Sequence, residues 1–199
     1  MGSVGAGFSM SLDGFIAGPN NEVDRVFAWM FQGDKDVKLS KGDEDLDLKV
    51  SSEGAEQFEE LTHTIGAIVS GRRMFDTANA WGGKHPLNVP IVVLTHNPPQ
   101  EWVNKPDSPF TFVTDGIESA VAKAKEIAGD KTVGVGGADV TRQCLKAGLL
   151  DEISIDLVPV LLGKGVRLFE LLGIEPIDLE ITDVTKDVGV THLRYRVKK

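Results

Sequence analysis

Short apolar runs alternate with segments of helical spacing along most of the chain. Val4 to Met10 is small and apolar and predicts a first strand. It runs into SLDGFIAGPNNEVD, where Gly14, Gly18, Pro19 and the Asn20-Asn21 pair mark a long loop. From Ile65, IGAIVSG predicts a buried strand and RRMFDTANA a helix, which WGGKHP breaks. PIVVLTH reads as a second buried strand closed by Asn97-Pro98-Pro99, and FTFV as a brief third. Over Ile117 to Ala128, Ile117, Val121, Ala124 and Ile127 share one helical face, while Glu118, Lys123, Lys125 and Glu126 do not. Gly129 is placed to cap that helix. KTVGVGG predicts a further strand, and ADVTRQCLKAG a helix stopped by Gly148. EISIDLVPVLL is strand-like, with Pro159 pointing to an edge or a bulge. IDLEITDVTKDVGVTHLRYRV closes the chain as two alternating strands around Asp187-Val188-Gly189, a hairpin pattern.

Residues 34–60 break this rhythm. They carry ten acids and four lysines, with Gly42 inside. The expectation is a solvated acidic loop leading into a helix over roughly Glu53 to Thr64. Elsewhere, strand–helix alternation followed by a hairpin predicts an α/β fold. Its central sheet would be mostly parallel, with helices on both faces and an antiparallel edge. No linker divides the 199 residues, so one domain over 1–199 is expected.

Charge narrows the partners. Thirty acids against 21 bases give a net charge of −9, which argues against nucleic acid or an anionic membrane surface as a partner. The expected partner is a small molecule. Cys144 is the only cysteine, so there is no disulfide framework. It lies in a helical run and reads as a packed small side chain. No base among His63, His85, His96 and His192 can be placed beside it from sequence. The opening MGSVGAGFSM lacks a signal-peptide pattern and no long apolar run occurs, so a cytoplasmic protein is expected. No His-x-Glu with a downstream Pro-Cys-x-x-Cys exists, so no zinc chemistry and no metal are expected.

Candidate chemistry gathers at three strand ends. In VGVGGADVTRQCL a strand ends, two glycines follow and a helix begins. Glycines let a backbone approach phosphate, and the first-turn N–H groups point at the anion. The dinucleotide fingerprint requires glycine at its sixth place, which here is Asp139, and no Gly-Lys-Ser/Thr follows. A tight turn without a ligand explains Gly136-Gly137 equally well. In VSGRRMF, Arg72 and Arg73 open a helix against its dipole, an arrangement that an anion between them would relieve. An arginine fork suits a phosphomonoester such as the 2′-phosphate of NADPH; two solvated arginines are the alternative. VVLTHNPP offers Thr95 and His96 where the chain leaves the sheet, and ligands of open α/β sheets bind outside the carboxyl ends of strands.

In order, SLDGFIAGPNN, GRRMFD, VVLTHNPP, VGVGGADVTRQCLKAGLLDE and PVLLGKGVRLFE resemble the dihydrofolate-reductase-like superfamily. The resemblance is closest to stand-alone relatives of the reductase domain of the bifunctional riboflavin biosynthesis deaminase-reductase. It spans nearly the whole chain and least the stretch from Asp34 to Ser52. It implies a three-layer fold and an NADPH-dependent reductase acting on a ribosylaminopyrimidine-like heterocycle. It also implies that Ala6, Gly7 and Ile16 line the nicotinamide. Gly71, Arg72, Arg73 and Met74 would contact the adenosine ribose, its 2′-phosphate and the diphosphate. Leu94, Thr95 and His96 would hold the adenine side and the 2′-phosphate, while Val135, Gly136, Gly137, Ala138, Asp139 and Val140 would wrap the diphosphate. Trp81, Leu162, Gly163 and Phe169 would border the substrate, although each suits a core position too and Phe169 suits it best. Asp13 reads as a loop-capping acceptor. Dihydrofolate reductases place a lone carboxylate opposite the nicotinamide; Glu53, Glu56 and Asp24 are the candidates for it here, and none is assigned as the acid. The resemblance further implies a cis Gly136–Gly137 peptide. The apolar, alternating surface of ISIDLVPVLL and the closing hairpin predicts a homodimer built partly from the C-terminal strands, with a monomer whose hairpin folds back over its own sheet as the alternative. The rival readings are a dihydrofolate reductase and a catalytically silent NADP-binding module.

Overall fold

The computed structural model describes residues 2–41, 44–170 and 172–199; Gly42 lies outside them. The strands are β1 (Val4–Ser11), β2 (Phe15–Ala17), β3 (Lys35–Lys41), β4 (Glu44–Val50), β5 (Ile65–Gly71), β6 (Ile91–Leu94), β7 (Phe110–Val113), β8 (Thr132–Gly136), β9 (Glu152–Val158), β10 (Val166–Arg167), β11 (Leu179–Asp187) and β12 (Val190–Val197). The helices are α1 (Ser52–Thr64), α2 (Arg72–Thr77), α3 (Gln100–Val103), α4 (Ile117–Ala128) and α5 (Ala138–Lys146). Eight strands form one sheet in the order β11-β12-β9-β1-β8-β5-β6-β7. From β9 to β7 all neighbours are parallel, and β12 and β11 extend the sheet antiparallel. This is the mixed α/β architecture that the alternation predicts.

Period two along the strands divides the core between two faces. On the first face Val4, Ala6, Val133, Val135, Ile153 and Ile155 pack under α4 and α5, whose buried residues include Val121, Ala124, Val140 and Cys144. The second face is covered at its ends. Over β5, β6 and β7, Phe75, Trp81 and Phe110 form an aromatic cluster with Trp102. Over β9 and β12, Trp29, Leu48, Val50, Val158 and Val190 form another, with Phe58 of α1 against it. Between these two clusters the second face carries Gly5, Gly7 and Ser9 of β1 and Ser154 and Asp156 of β9, a run without large apolar side chains.

The predicted α4 and its glycine stop agree with the structure: Gly129 follows the helix at φ 64°. Three expectations change. The acidic segment is a β3–β4 hairpin rather than a loop, because its apolar residues alternate and Leu48 and Val50 are buried beneath it. β9 is an interior strand between β1 and β12. It ends at Val158, so Pro159 sits just beyond the ladder and marks neither an edge nor a bulge. Phe169 is 36% exposed, whereas its neighbour Leu168 is fully buried and takes the core position. No helix among the described residues is long and apolar enough to cross a membrane.

Candidate functional site

The sheet opens in its middle. β1 and β8 are paired only from Val4–Val133 to Ala6–Val135, whereas β1 continues along β9 as far as Ser11–Val158. Past Ala6 the two strands part, and Gly7 is solvent-exposed near the centre of an eight-stranded sheet. A Cβ placed on Gly7 would meet only Ser154 Cβ, at 3.9 Å. Such an opening, outside the carboxyl ends of parallel strands where their order reverses, is where open α/β sheets bind ligands. A recess of about 650 Å3 lies elsewhere, at Ile65 and Gly66, the opposite end of β5.

Two helix starts flank the opening. Gly71 precedes α2 and Gly137 precedes α5, and no side chain caps either helix. Both glycines sit at close approaches: a Cβ on Gly136 would lie 3.1 Å from Met74 Sδ, and one on Gly71 would lie 3.1 Å from Val140 Cγ2. The uncapped first-turn amides of α5 therefore stand beside the parted strands, where they can donate to an anion. Asp139, in that first turn, accepts from Gln143 Nε2 at 2.6 Å and so turns along the helix.

The Gly136–Gly137 peptide is trans, which corrects the expectation of a cis bond. The chain makes its turn through the dihedrals of Gly137 instead, at φ 93° and ψ 140°, and α5 begins at the next residue. The arginines are tethered to neighbouring loops. Arg72 Nε donates to Asp76 Oδ1 at 2.7 Å, and Arg72 Nη1 donates to the Asn97 carbonyl. Arg73 Nη2 donates to Asn21 Oδ1 at 3.0 Å. Thr95 is buried and its Oγ1 accepts from the Asn97 N–H, while His96 is exposed beside it.

The structure thus brings Gly7, Gly71, Arg72, Arg73, Met74, Thr95, His96, Gly136 and Gly137 to one edge. The side chains of Ala6, Val135, Ala138 and Val140 point into the first-face core instead, with Leu94 and Ile16 packed against it. Ala6, Val135, Ala138 and Val140 can line the opening only through backbone, whereas Leu94 and Ile16 are partly exposed. On the substrate side, Trp81 is buried at 5% exposure against Phe75 and His85, away from the opening. Burial there pushes His85 down to about 4. Leu162 and Gly163 form a loop whose N–H groups donate to Asp13, at 3.1 and 2.7 Å. The Ser11 hydroxyl and these amides hold the Asp13 carboxyl at about 2, consistent with its reading as a loop cap. Asp24, Leu162 and Lys164 line a recess of about 270 Å3 between that loop and residues 18–25. Glu53 and Glu56 are exposed on α1. Cys144 is buried, and burial followed by the Glu118 charge pushes its thiol up to about 12, so it packs and does not attack.

Sequence reasoning passed over a second polar group. Asp156 and His192 lie opposite one another on β9 and β12, with Nδ1 2.7 Å from Oδ1, and Ser9 of β1 partners Asp156 on its other side. Arg194 Nη1 donates to Ser154 Oγ at 2.8 Å in the rank that contains Gly7. Its trace in the sequence is the polar half of the alternation in ISIDLV and VTHLRYR.

Compared with known proteins, the chain matches the RibD C-terminal domain family over residues 3–193. It belongs to that family. The RibD C-terminal fold extends to solved structures of low identity. A putative riboflavin biosynthesis protein of Shewanella sp. PV-4 superposes over 100% of both chains with a TM-score of 0.73 at 22% identity. The diaminohydroxyphosphoribosylaminopyrimidine deaminase/5-amino-6-(5-phosphoribosylamino)uracil reductase of Thermotoga maritima is matched over 99% of this chain and 57% of its own, with a TM-score of 0.62 at 13% identity. A dihydrofolate reductase of Enterococcus faecalis, complexed with NADP(H), is matched over 99% of this chain and 97% of its own, with a TM-score of 0.57 at 15% identity. The fold is dihydrofolate-reductase-like.

Proposed function

We propose that this RibD C-terminal domain protein is an NADPH-dependent reductase of a small heterocycle of the ribosylaminopyrimidine class. The observation that carries the reading is the parting of β1 and β8 at Gly7, between the glycine-led starts of α2 and α5. A flat ring fits on the bare backbone of Gly7, and the α5 amides and Gly137 receive a diphosphate. Arg72 and Arg73 stand at the rim, where a 2′-phosphate exchanges their present partners, Asp76 and Asn21, for a doubly charged acceptor. When bound, reduced nicotinamide supplies the hydride; the chain supplies orientation and a dry surface. The loop held by Asp13 and the recess beside Leu162 and Lys164 face the substrate side.

The reading is supported by the family and by the enzymatic names of the Thermotoga and Enterococcus relatives. It is tested by titrating tryptophan fluorescence with NADPH and NADH, then following nicotinamide absorbance with 5-amino-6-(5-phosphoribosylamino)uracil and with dihydrofolate. NADPH should bind about ten- to a hundredfold more tightly than NADH, the difference one good charge-assisted contact makes. Equal affinities remove the 2′-phosphate site, and tight binding without turnover of any heterocycle makes the protein a silent NADP-binding module.

We also propose that two copies pair through β11, a nine-residue edge strand that exposes Leu179, Ile181 and Val184.

A further inference from the structure

The second face of the sheet carries a rank of polar side chains beside the opening. Gly7, Ser154 and Arg194 form one rank across β1, β9 and β12, and Ser9, Asp156 and His192 form the next. His192 is 1% exposed, and both its ring nitrogens face carboxylates: Nδ1 lies 2.7 Å from Asp156 Oδ1 and Nε2 lies 3.2 Å from Asp187 Oδ2. To donate to both, the ring must carry two hydrogens and a positive charge. Burial opposes that charge, but the two carboxylates outweigh it, and His192 protonates more readily than an ordinary histidine.

The two carboxylates differ. Asp187 is enclosed. Its side chain is 4% exposed and also accepts from Ser51 Oγ at 2.6 Å and from the Val188 N–H. Asp156 is 23% exposed, and among the described residues its Oδ2 has no protein donor. The pair is partly exposed at Asp156, which stands diagonal to Gly7 on the same face, about 7 Å away. The other groups packed on the imidazole are Trp29, whose ring meets it edge-on at 5.3 Å, and Ser51 acting through Asp187; Arg194, next along β12 on this face, is engaged by Ser154.

Building on the reductase reading above, we propose that Asp156 is the catalytic acid that protonates the substrate nitrogen. His192 is the positioning residue that orients and recharges it. As a C=N bond of the substrate gains hydride at carbon, His192 Nδ1 releases its proton to Asp156, whose carboxyl delivers it to the nitrogen. The C=N π bond breaks, and one C–H and one N–H bond form. The substrate is reduced by two electrons while the nicotinamide is oxidised. Asp156 ends as a carboxylate and His192 neutral, and His192 regains a proton from solvent through Asp156 once product leaves.

Three measurements on the full chain test this. NADPH binding, read by tryptophan fluorescence, should change less than about threefold in Asp156→Asn and His192→Gln, since neither touches phosphate. Failure of the wild type to bind either cofactor form overturns the reductase reading and the relay with it. Next, the protonation of His192 is followed by nitrogen-15 NMR in wild-type protein saturated with NADPH or with NADP+. The oxidised ring adds a positive charge near Asp156, so its midpoint should fall by about half a pH unit to one unit relative to NADPH. Equal midpoints with both forms bound overturn the relay while leaving the cofactor site intact. Last, with 5-amino-6-(5-phosphoribosylamino)uracil, Asp156→Asn should lower kcat by roughly a hundredfold or more with KM little changed. His192→Gln should lower it less and displace the alkaline limb of the pH profile. An Asp156→Asn protein with wild-type kcat overturns the proposal. A wild type that binds NADPH but leaves this pyrimidine unreduced revises the substrate, and the NMR midpoints then decide the relay.

Discussion

Met74 packs against Gly136 so closely that a methyl group on the glycine would meet its sulfur at 3.1 Å. The thioether is flexible and half-exposed, so the Gly136→Ala protein accommodates the methyl by turning Met74 aside. We expect a stability loss below about 1 kcal/mol, because a flexible side chain relieves the overpacking. The displaced side chain enters the opening, and NADPH affinity should fall. Adding Met74→Ala should restore binding, a non-additive pair that a double-mutant cycle on fluorescence titrations detects.

Gly7 presents the opposite case. Its nearest neighbour would be Ser154 Cβ at 3.9 Å, so a methyl group meets no clash and alanine suits a strand better than glycine does. The Gly7→Ala protein should unfold at the same or a higher urea concentration than wild type. It should also bind NADPH at least about tenfold more weakly, a loss of about 1.4 kcal/mol. Unchanged affinity would place the ring elsewhere.

His192 should make stability depend on pH in a defined direction. Its folded-state pKa is raised above the unfolded value of about 6.5, so its contribution is complete below that pH. The contribution is lost as pH rises through the folded value. Asp187 behaves conversely. Burial alone would raise it, but Ser51, the Val188 N–H and His192 together hold it low, and its contribution disappears only in acid. Urea midpoints should therefore fall on the alkaline side, and His192→Gln should flatten that fall. His192→Ala should cost about 3–5 kcal/mol near pH 6, since it strands two carboxylates against the sheet.

The edge strand predicts an assembly. Ile181 is 65% exposed in the middle of β11. If two copies meet there, light scattering gives twice the 21.5 kDa chain mass, and Ile181→Lys returns it to that of one chain without a change in the circular dichroism spectrum. A wild-type mass of 21.5 kDa removes the pairing.

What the sequence revealed followed the strength of local signals. α4 was legible because four apolar residues recur at helical spacing before a glycine, and the three strand ends because glycines, arginines or the Thr95-His96 pair interrupt apolar runs there. The β3–β4 hairpin carries a period-two pattern in Leu46-Asp47-Leu48-Lys49-Val50, but the density of acids around it suggested a solvated loop. Burial of Leu48 and Val50 against Trp29 decides otherwise, and that contact is tertiary. The trans turn at Gly137 was hidden because a glycine pair permits either geometry. Asp156 and His192 lie 36 residues apart, and each looks like an isolated polar residue until β9 and β12 are set side by side. Only the register reveals that the polar halves of three strands make one surface.

The parted strands also bear on how such a protein acquires new substrates. Where β1 leaves β8, the walls are main chain at Gly7, Gly136 and Gly137, held by a ladder that ends before them. Substitutions elsewhere leave a main-chain wall in place, whereas a side chain added at Gly7 or Gly136 alters it. The side chains that meet the other half of the cleft, Ser154 and Arg194, are only half-buried, lie outside the buried core and hydrogen-bond mainly to each other. Replacing them alters the shape and charge offered to a substrate while leaving both apolar cores untouched. The opening thus has one wall of main chain and one of exchangeable side chains.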